Sequence, residues 1–127
     1  PASPRRARSA RLPPMTRRVL LVDDDQAMCE LLELDLRDRA FEAVTRHSAD
    51  EALALLDEQE VSVVLTDLNM RGMSGIELIS ASRDLAYPLR CIIISGGQRP
   101  TQGLPDDVTW LMKPIDADLL IEKIGAP

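Results

Sequence analysis

Short apolar runs alternate with amphipathic stretches along most of the chain. From Arg18 the order is "VLLV" (19–22), "AMCELLELDLRDRA" (27–40), "FEAVT" (41–45), "SADEALALLDEQE" (48–60), "VSVVLT" (61–66), "SGIELISASRDL" (74–85), "CIIIS" (91–95), "VTWLM" (108–112) and "DADLLIEKI" (116–124). The runs of four to six apolar residues read as strands buried on both faces, and the stretches between them carry apolar residues at helical spacing. Five βα units account for the chain beyond Met15. The class is therefore α/β, a parallel sheet with helices on both faces.

Local signals mark several helix starts. Ser48 with Glu51 and Ser74 with Glu77 fit the capping-box spacing, and Asp116 is placed to cap the last helix. One unit breaks the pattern. "GGQRPTQGLPDD" (96–107) stands where the fourth helix belongs and holds three Gly and two Pro. A Pro inside a helix costs about 3 kcal/mol and a Gly about 1 kcal/mol against Ala. The spacing predicts one or two turns there at most, or an irregular loop.

Composition narrows the picture. The chain has 127 residues, 45% of them apolar but only 2% aromatic, so the core is aliphatic. No apolar run is long enough to span a bilayer, and no apolar segment follows the basic start as a signal peptide requires. Net charge is −6, yet Arg5, Arg6, Arg8 and Arg11 sit in an acid-free first fourteen residues, leaving about −10 on the remainder. An acidic body argues against nucleic acid as a partner. Residues 1–16 read as a disordered basic tail, an expression remnant or residues upstream of a start at Met15. Cys29 and Cys91 lack metal-ligand spacing and read as small buried hydrophobes, which suits a reducing cytoplasm. His47 reads as an exposed loop residue.

The chemistry sits at the strand ends. A parallel sheet with short loops gathers the residues just past its carboxyl ends on one edge, where open α/β folds bind ligands. Those residues are Asp23 and Asp24, Asp67, Ser95 and Lys113. Taken singly, Asp24 or Asp25 can cap a helix, and Asp67 can cap a turn or carry a solvated charge. Taken together they bring three carboxylates to one rim. Two such charges 4 Å apart repel by about 4 kcal/mol at an effective dielectric near 20. A hard cation relieves that repulsion, and oxygen ligands in a small site favour Mg²⁺. A carboxylate beside Mg²⁺ can attack phosphorus to give an aspartyl phosphate. Asp67 is then the nucleophile, with Lys113 and Ser95 meeting phosphoryl oxygens.

The segments "VLLVDDD", "VVLTDLNMRGMSGIEL", "IIISGG" and "WLMKPID" resemble, in order, the four signatures of the response-regulator receiver domain (the CheY-like superfamily) of two-component signalling. The resemblance runs from about Arg17 to the end, a receiver domain over 17–127. It implies a doubly wound (βα)5 three-layer sandwich with strand order 2-1-3-4-5. It makes Asp67 the phosphoacceptor and Asp24 a direct metal ligand, with Asp23 acting through water and Asn69 through its backbone carbonyl. It makes Ser95 the switch hydroxyl, Lys113 the phosphate's cation and Lys113–Pro114 a cis peptide. Trp110 takes the place of the switch aromatic, usually Tyr or Phe; an ordinary partly buried strand residue is the competing reading. Departures are Arg71 for the usual Pro, Gly96 for Ala, Ile115 for Phe, and a gap from Ser95 to Lys113 about one helical turn short.

The resemblance implies a bacterial signalling switch that catalyses only its own phosphorylation and slow dephosphorylation. Its partners would be a histidine kinase or phosphotransfer protein, an output domain, and a phosphorylation-dependent second copy. "DLNMRGMSG" is similar to receivers of bacterial transcriptional activators. Two other readings compete. One is a phosphorylation-independent interaction module on the same fold. The other is a phosphohydrolase, which needs an acid two residues past the nucleophile, where Asn69 stands.

Overall fold

A computed structural model describes residues 17–70, 72–85, 89–97, 105 and 107–125. The strands are β1 (Arg18–Val22), β2 (Glu42–Arg46), β3 (Val63–Asp67), β4 (Arg90–Ser95) and β5 (Thr109–Met112). The helices among the described residues are α1 (Gln26–Asp38), α2 (Ala49–Glu58), α3 (Gly75–Ser82) and α4 (Ala117–Ile124). All neighbouring strands pair in parallel, in the order β2-β1-β3-β4-β5.

The aliphatic runs of the sequence become the middle of this sheet. β3 is buried over its whole length. Alternate side chains feed two layers, as the period of two requires. Val19, Leu21, Val63, Leu65, Ile92 and Ile94 pack against Leu32 and Leu36 of α1 and Leu120 and Ile124 of α4. Leu20, Val22 and Val64 face Ala52, Leu55 and Leu56 of α2 and Leu78 of α3. Each such aliphatic side chain contributes about 1.5–3 kcal/mol on burial. Phe41 also enters the first layer, so one of the few aromatics of the chain closes the α1–β2 corner.

Helix ends follow side-chain chemistry, with two departures from the sequence reading. α1 is capped by Asp25, whose carboxylate accepts from Met28 N at 3.1 Å. It stops at Asp38 rather than at Ala40. Ala40 takes φ +70°, and the Ala40 and Phe41 amides turn back onto the carbonyls of Arg37 and Leu36. This is the left-handed helix stop usually given to Gly. At α3 the capping box is complete: Ser74 Oγ accepts from Glu77 N at 3.2 Å, and Glu77 accepts from Ser74 N at 3.5 Å. At α2 only half of it forms. Ser48 Oγ accepts from Glu51 N at 3.2 Å, but the Glu51 carboxylate takes the amide of His47 at 3.1 Å. Asp116 caps α4 through Asp118 N at 2.9 Å.

The broken fourth unit is partly in view. Gly96, Gly97, Pro105, Asp107 and Val108 carry no helix; residues 98–104 and 106 lie outside the described residues. Asp107 forms a bidentate pair with Arg83 at 2.7 and 2.8 Å, tying the approach to β5 to the end of α3. The basic segment 1–16, Arg71 and Tyr87 also lie outside the described residues. Among the described residues no helix is long and apolar enough to cross a membrane.

Candidate functional site

Strand ends place the acids. Asp23 follows β1 directly, Asp67 is the last residue of β3, Ser95 ends β4 and Lys113 follows β5. Parallel pairing puts all four at one edge of the sheet. Oxygens of Asp23, Asp24 and Asp67 lie within 4.8 Å of one another. Lys113 Nζ reaches into this group, 3.1 Å from Asp23 Oδ2 and 3.4 Å from Asp67 Oδ1.

Burial makes the grouping consequential. Asp23 is 1% exposed and Asp67 8% exposed, whereas Asp24 is open to solvent. Asp23 Oδ1 accepts from Asp25 N at 2.9 Å. Its buried Oδ2 faces Lys113 as a charge contact without an aligned hydrogen bond. Burial, and then the nearby charge of Asp23, push the Asp67 carboxyl above its ordinary range, and Lys113 offsets only part of this. For Lys113, burial pulls downward, but the two carboxylates outweigh it and hold the ammonium above its usual value. Three clustered carboxylates, one with an unsatisfied buried oxygen, form a hard-oxygen donor set that fits a divalent cation such as Mg²⁺.

Asp67 is held from behind. Its neighbour's amide, Leu68 N, donates to Ile94 O at 3.0 Å, and Thr66 Oγ1 donates to Asp67 O at 3.0 Å. α3 then begins directly against it: a Cβ on Gly75 would stand 2.4 Å from Asp67 O. Only Gly allows this approach. Lys113 is set by its own amide, which donates to Ser95 O at 2.8 Å.

Ser95 is buried at the same edge, but its Oγ turns back to accept from Gly97 N at 3.0 Å. Asn69 is exposed in the loop after β3. Trp110 is half-buried against Ile79, Cys91, Ile93 and Val108, and its indole N–H is buried without a partner among the described residues. Lys113–Pro114 is cis.

Comparison with known proteins settles the family. The profile described as the response regulator receiver domain matches residues 19–125. The chain belongs to this family. Receiver relatives include the transcriptional regulatory protein GlrR of Escherichia coli K12, 32% identical over 114 residues, covering 84% of this chain and 25% of that protein. The cell cycle response regulator CtrA of Brucella ovis is 31% identical over 117 residues, covering 86% and 49%. Among solved structures, a response regulator receiver protein from Pseudomonas putida superposes with a TM-score of 0.77 at 32% identity, covering 87% and 96%. The receiver thus spans from a quarter to a half of those two curated relatives.

Three residues around the site escaped the sequence reading. Gly75 looked like part of a capping box, yet its lack of a side chain is what admits the Asp67 carbonyl. Cys29 is buried as expected, and its thiol also approaches Asp23 O at 3.6 Å. Burial and the acids Asp23, Asp25 and Glu33 push that thiol to about 11, so it stays protonated and able to donate. His47 is half-buried rather than exposed, with Nδ1 3.0 Å from Asp23 O. A polar stretch gives no sign of a backbone partner 24 residues away.

Proposed function

We propose that the chain is a phosphoacceptor switch in which Asp67 takes a phosphoryl group from a histidine kinase, a phosphotransfer protein or a small phosphodonor. The observation that carries this reading is the rim itself: Asp67, ending the central strand, beside two further carboxylates and 3.4 Å from Lys113. One Asp67 oxygen forms the bond to phosphorus. The donor's bond to phosphorus breaks, and its electron pair leaves with the donor. No base is needed for an ionised carboxylate.

Asp24, Asp23, Asp67 and the carbonyl of Asn69 would hold Mg²⁺. When bound, that ion supplies neutralisation of phosphoryl charge and in-line orientation. Lys113 meets one phosphoryl oxygen, exchanging part of its contact with Asp67 for the new anion. Ser95 Oγ swings from Gly97 N to meet another, drawing the loop after β4 inward. Trp110, with a spare indole N–H on the same side of β5, follows that loop.

A phosphoryl group brings about −1.5 to −2 charges and three strong acceptors. Turning a 1:99 population into 99:1 needs about 5.5 kcal/mol of differential interaction. Charge-assisted contacts to Lys113 and Ser95, at about 1.5–3 kcal/mol each, approach that figure. The surface of the fourth and fifth units then changes for an output domain, a partner or a second copy. In this reading the receiver belongs to a bacterial, cytoplasmic signalling protein.

Beryllofluoride with Mg²⁺ tests this reading. Amide resonances at Asp67, Ser95 and Lys113 should shift together. Unmoved signals would favour the alternative of a phosphorylation-independent interaction module.

A further inference from the structure

The β1–β2 ladder ends in an unusual way. Asp23 N donates to Arg46 O at 3.2 Å, the last backbone rung between the two strands. A parallel ladder would next bring a β2-side amide to Asp23 O. By the alternation of the ladder that amide is Ser48 N, and no bond from Ser48 N to Asp23 O forms, while the His47 N–H turns to the Glu51 carboxylate. The imidazole takes the role, with Nδ1 3.0 Å from Asp23 O.

A carbonyl can only accept, so Nδ1 carries the proton and donates. Neutral and charged imidazole can both do so. Asp23 is thus fixed at its amide by Arg46, at its carbonyl by His47 with the Cys29 thiol 3.6 Å away, and at Oδ1 by Asp25. Its other oxygen, Oδ2, faces Lys113 Nζ at 3.1 Å.

We infer that His47 is a positioning residue for the acid rim: by donating to the Asp23 carbonyl it sets the angle of the Asp23 carboxylate and thereby the affinity of the rim for Mg²⁺. The inference rests on the proposed reading of Asp23, Asp24 and Asp67 as the metal-holding acids. Groups that orient a ligand from outside commonly change metal affinity by about 10- to 100-fold. His47 acts through the backbone of its target, so its effect belongs at the lower end, about tenfold.

The test is calorimetric titration of Mg²⁺ into the full chain, with thermal unfolding in chelator measured alongside. His47→Phe keeps a flat ring and removes the donor; it should weaken Mg²⁺ binding about tenfold. His47→Asn places an amide N–H near the position of Nδ1; it should bind within about threefold of wild type. Wild-type affinity in His47→Phe, or an equal loss in both variants, overturns the inference. Should His47→Phe fail to fold, His47→Ala removes the donor without adding bulk and gives the same contrast with His47→Asn. Asp24→Asn separates this from the underlying reading. If Asp24→Asn binds Mg²⁺ as tightly as wild type, the metal site itself is misassigned and the role of His47 falls with it. If Asp24→Asn loses binding, the His47 comparison decides the inference alone.

Discussion

The two halves of the carboxyl edge are built differently. Around β1 and β3 the chemistry is already assembled. Asp23 is fixed at its amide, its carbonyl and one carboxylate oxygen; Asp67 is backed by Gly75; and Lys113 touches both acids. Around β4 and β5, Lys113 apart, the polar side chains of the site are occupied locally or not at all. Ser95 Oγ serves Gly97, and the Trp110 indole N–H has no partner among the described residues. The first half is preorganised at a cost: its acids repel and one carboxyl is held above its ordinary range. The Ser95 side chain can be re-aimed, because its Oγ would give up a single neutral hydrogen bond, that from Gly97 N. In the proposed switch, the chemistry falls to the half that is already fixed and the movement to the half that holds Ser95.

The comparison can be broken most severely at the assembled half. Lys113→Met leaves Asp23 and Asp67 facing each other without a cation. Phosphoryl incorporation should fall by a factor on the order of 100 or more, since fixed charges at the transferring group are commonly worth that much. Ser95→Ala, in the other half, should lower incorporation by about tenfold or less and chiefly blunt the later conformational response. Radiolabelled acetyl phosphate measures both. Equal losses in the two variants would dissolve the division.

Gly75→Ala probes the close approach. A methyl group 2.4 Å from Asp67 O must push α3 or the Asp67 backbone aside. Denaturant unfolding should show a loss of about 1–3 kcal/mol, accompanied by weaker Mg²⁺ binding. Gly96→Ala, which meets nothing within 4 Å, should leave both nearly unchanged.

Asp67→Asn works in the opposite direction. The raised Asp67 carboxyl, with burial and Asp23 as its causes, means that the folded state holds a proton there more tightly than the unfolded chain does. Its contribution to stability is present below the unfolded value, near 3.9, and is lost as pH rises through the folded one. At neutral pH without Mg²⁺, Asp67→Asn should therefore be more stable than wild type by about 1 kcal/mol. The gap should close as the solution is acidified, and thermal unfolding across pH measures it. The smallest effect belongs to Ser95→Ala, whose lost bond to Gly97 should cost about 1 kcal/mol or less.

The sheet was legible because its strands are buried on both faces. Runs such as Val63–Leu65 and Ile92–Ile94 leave no polar alternative. The rim was legible because strand ends are where such runs stop, and a carboxylate at the stop stands out. The boundary at Ala40 was not, since an Ala in the left-handed region gives no compositional signal. The roles of His47 and Gly75 were hidden for a shared reason: each acts on a backbone carbonyl brought near only by tertiary packing. Spacing alone also left open which of the consecutive acids caps α1. Geometry divides them, with Asp25 on the helix and Asp23 and Asp24 on the cluster.

The most direct measurement is the mass of the full chain after incubation with acetyl phosphate, with and without Mg²⁺, with the modified residue mapped by peptide fragmentation. One phosphoryl group on Asp67, formed only with the divalent ion and absent in Asp67→Asn, is the predicted result. Labelling that persists in Asp67→Asn, or a wild-type chain that takes no phosphoryl group from any donor while binding Mg²⁺, would contradict it.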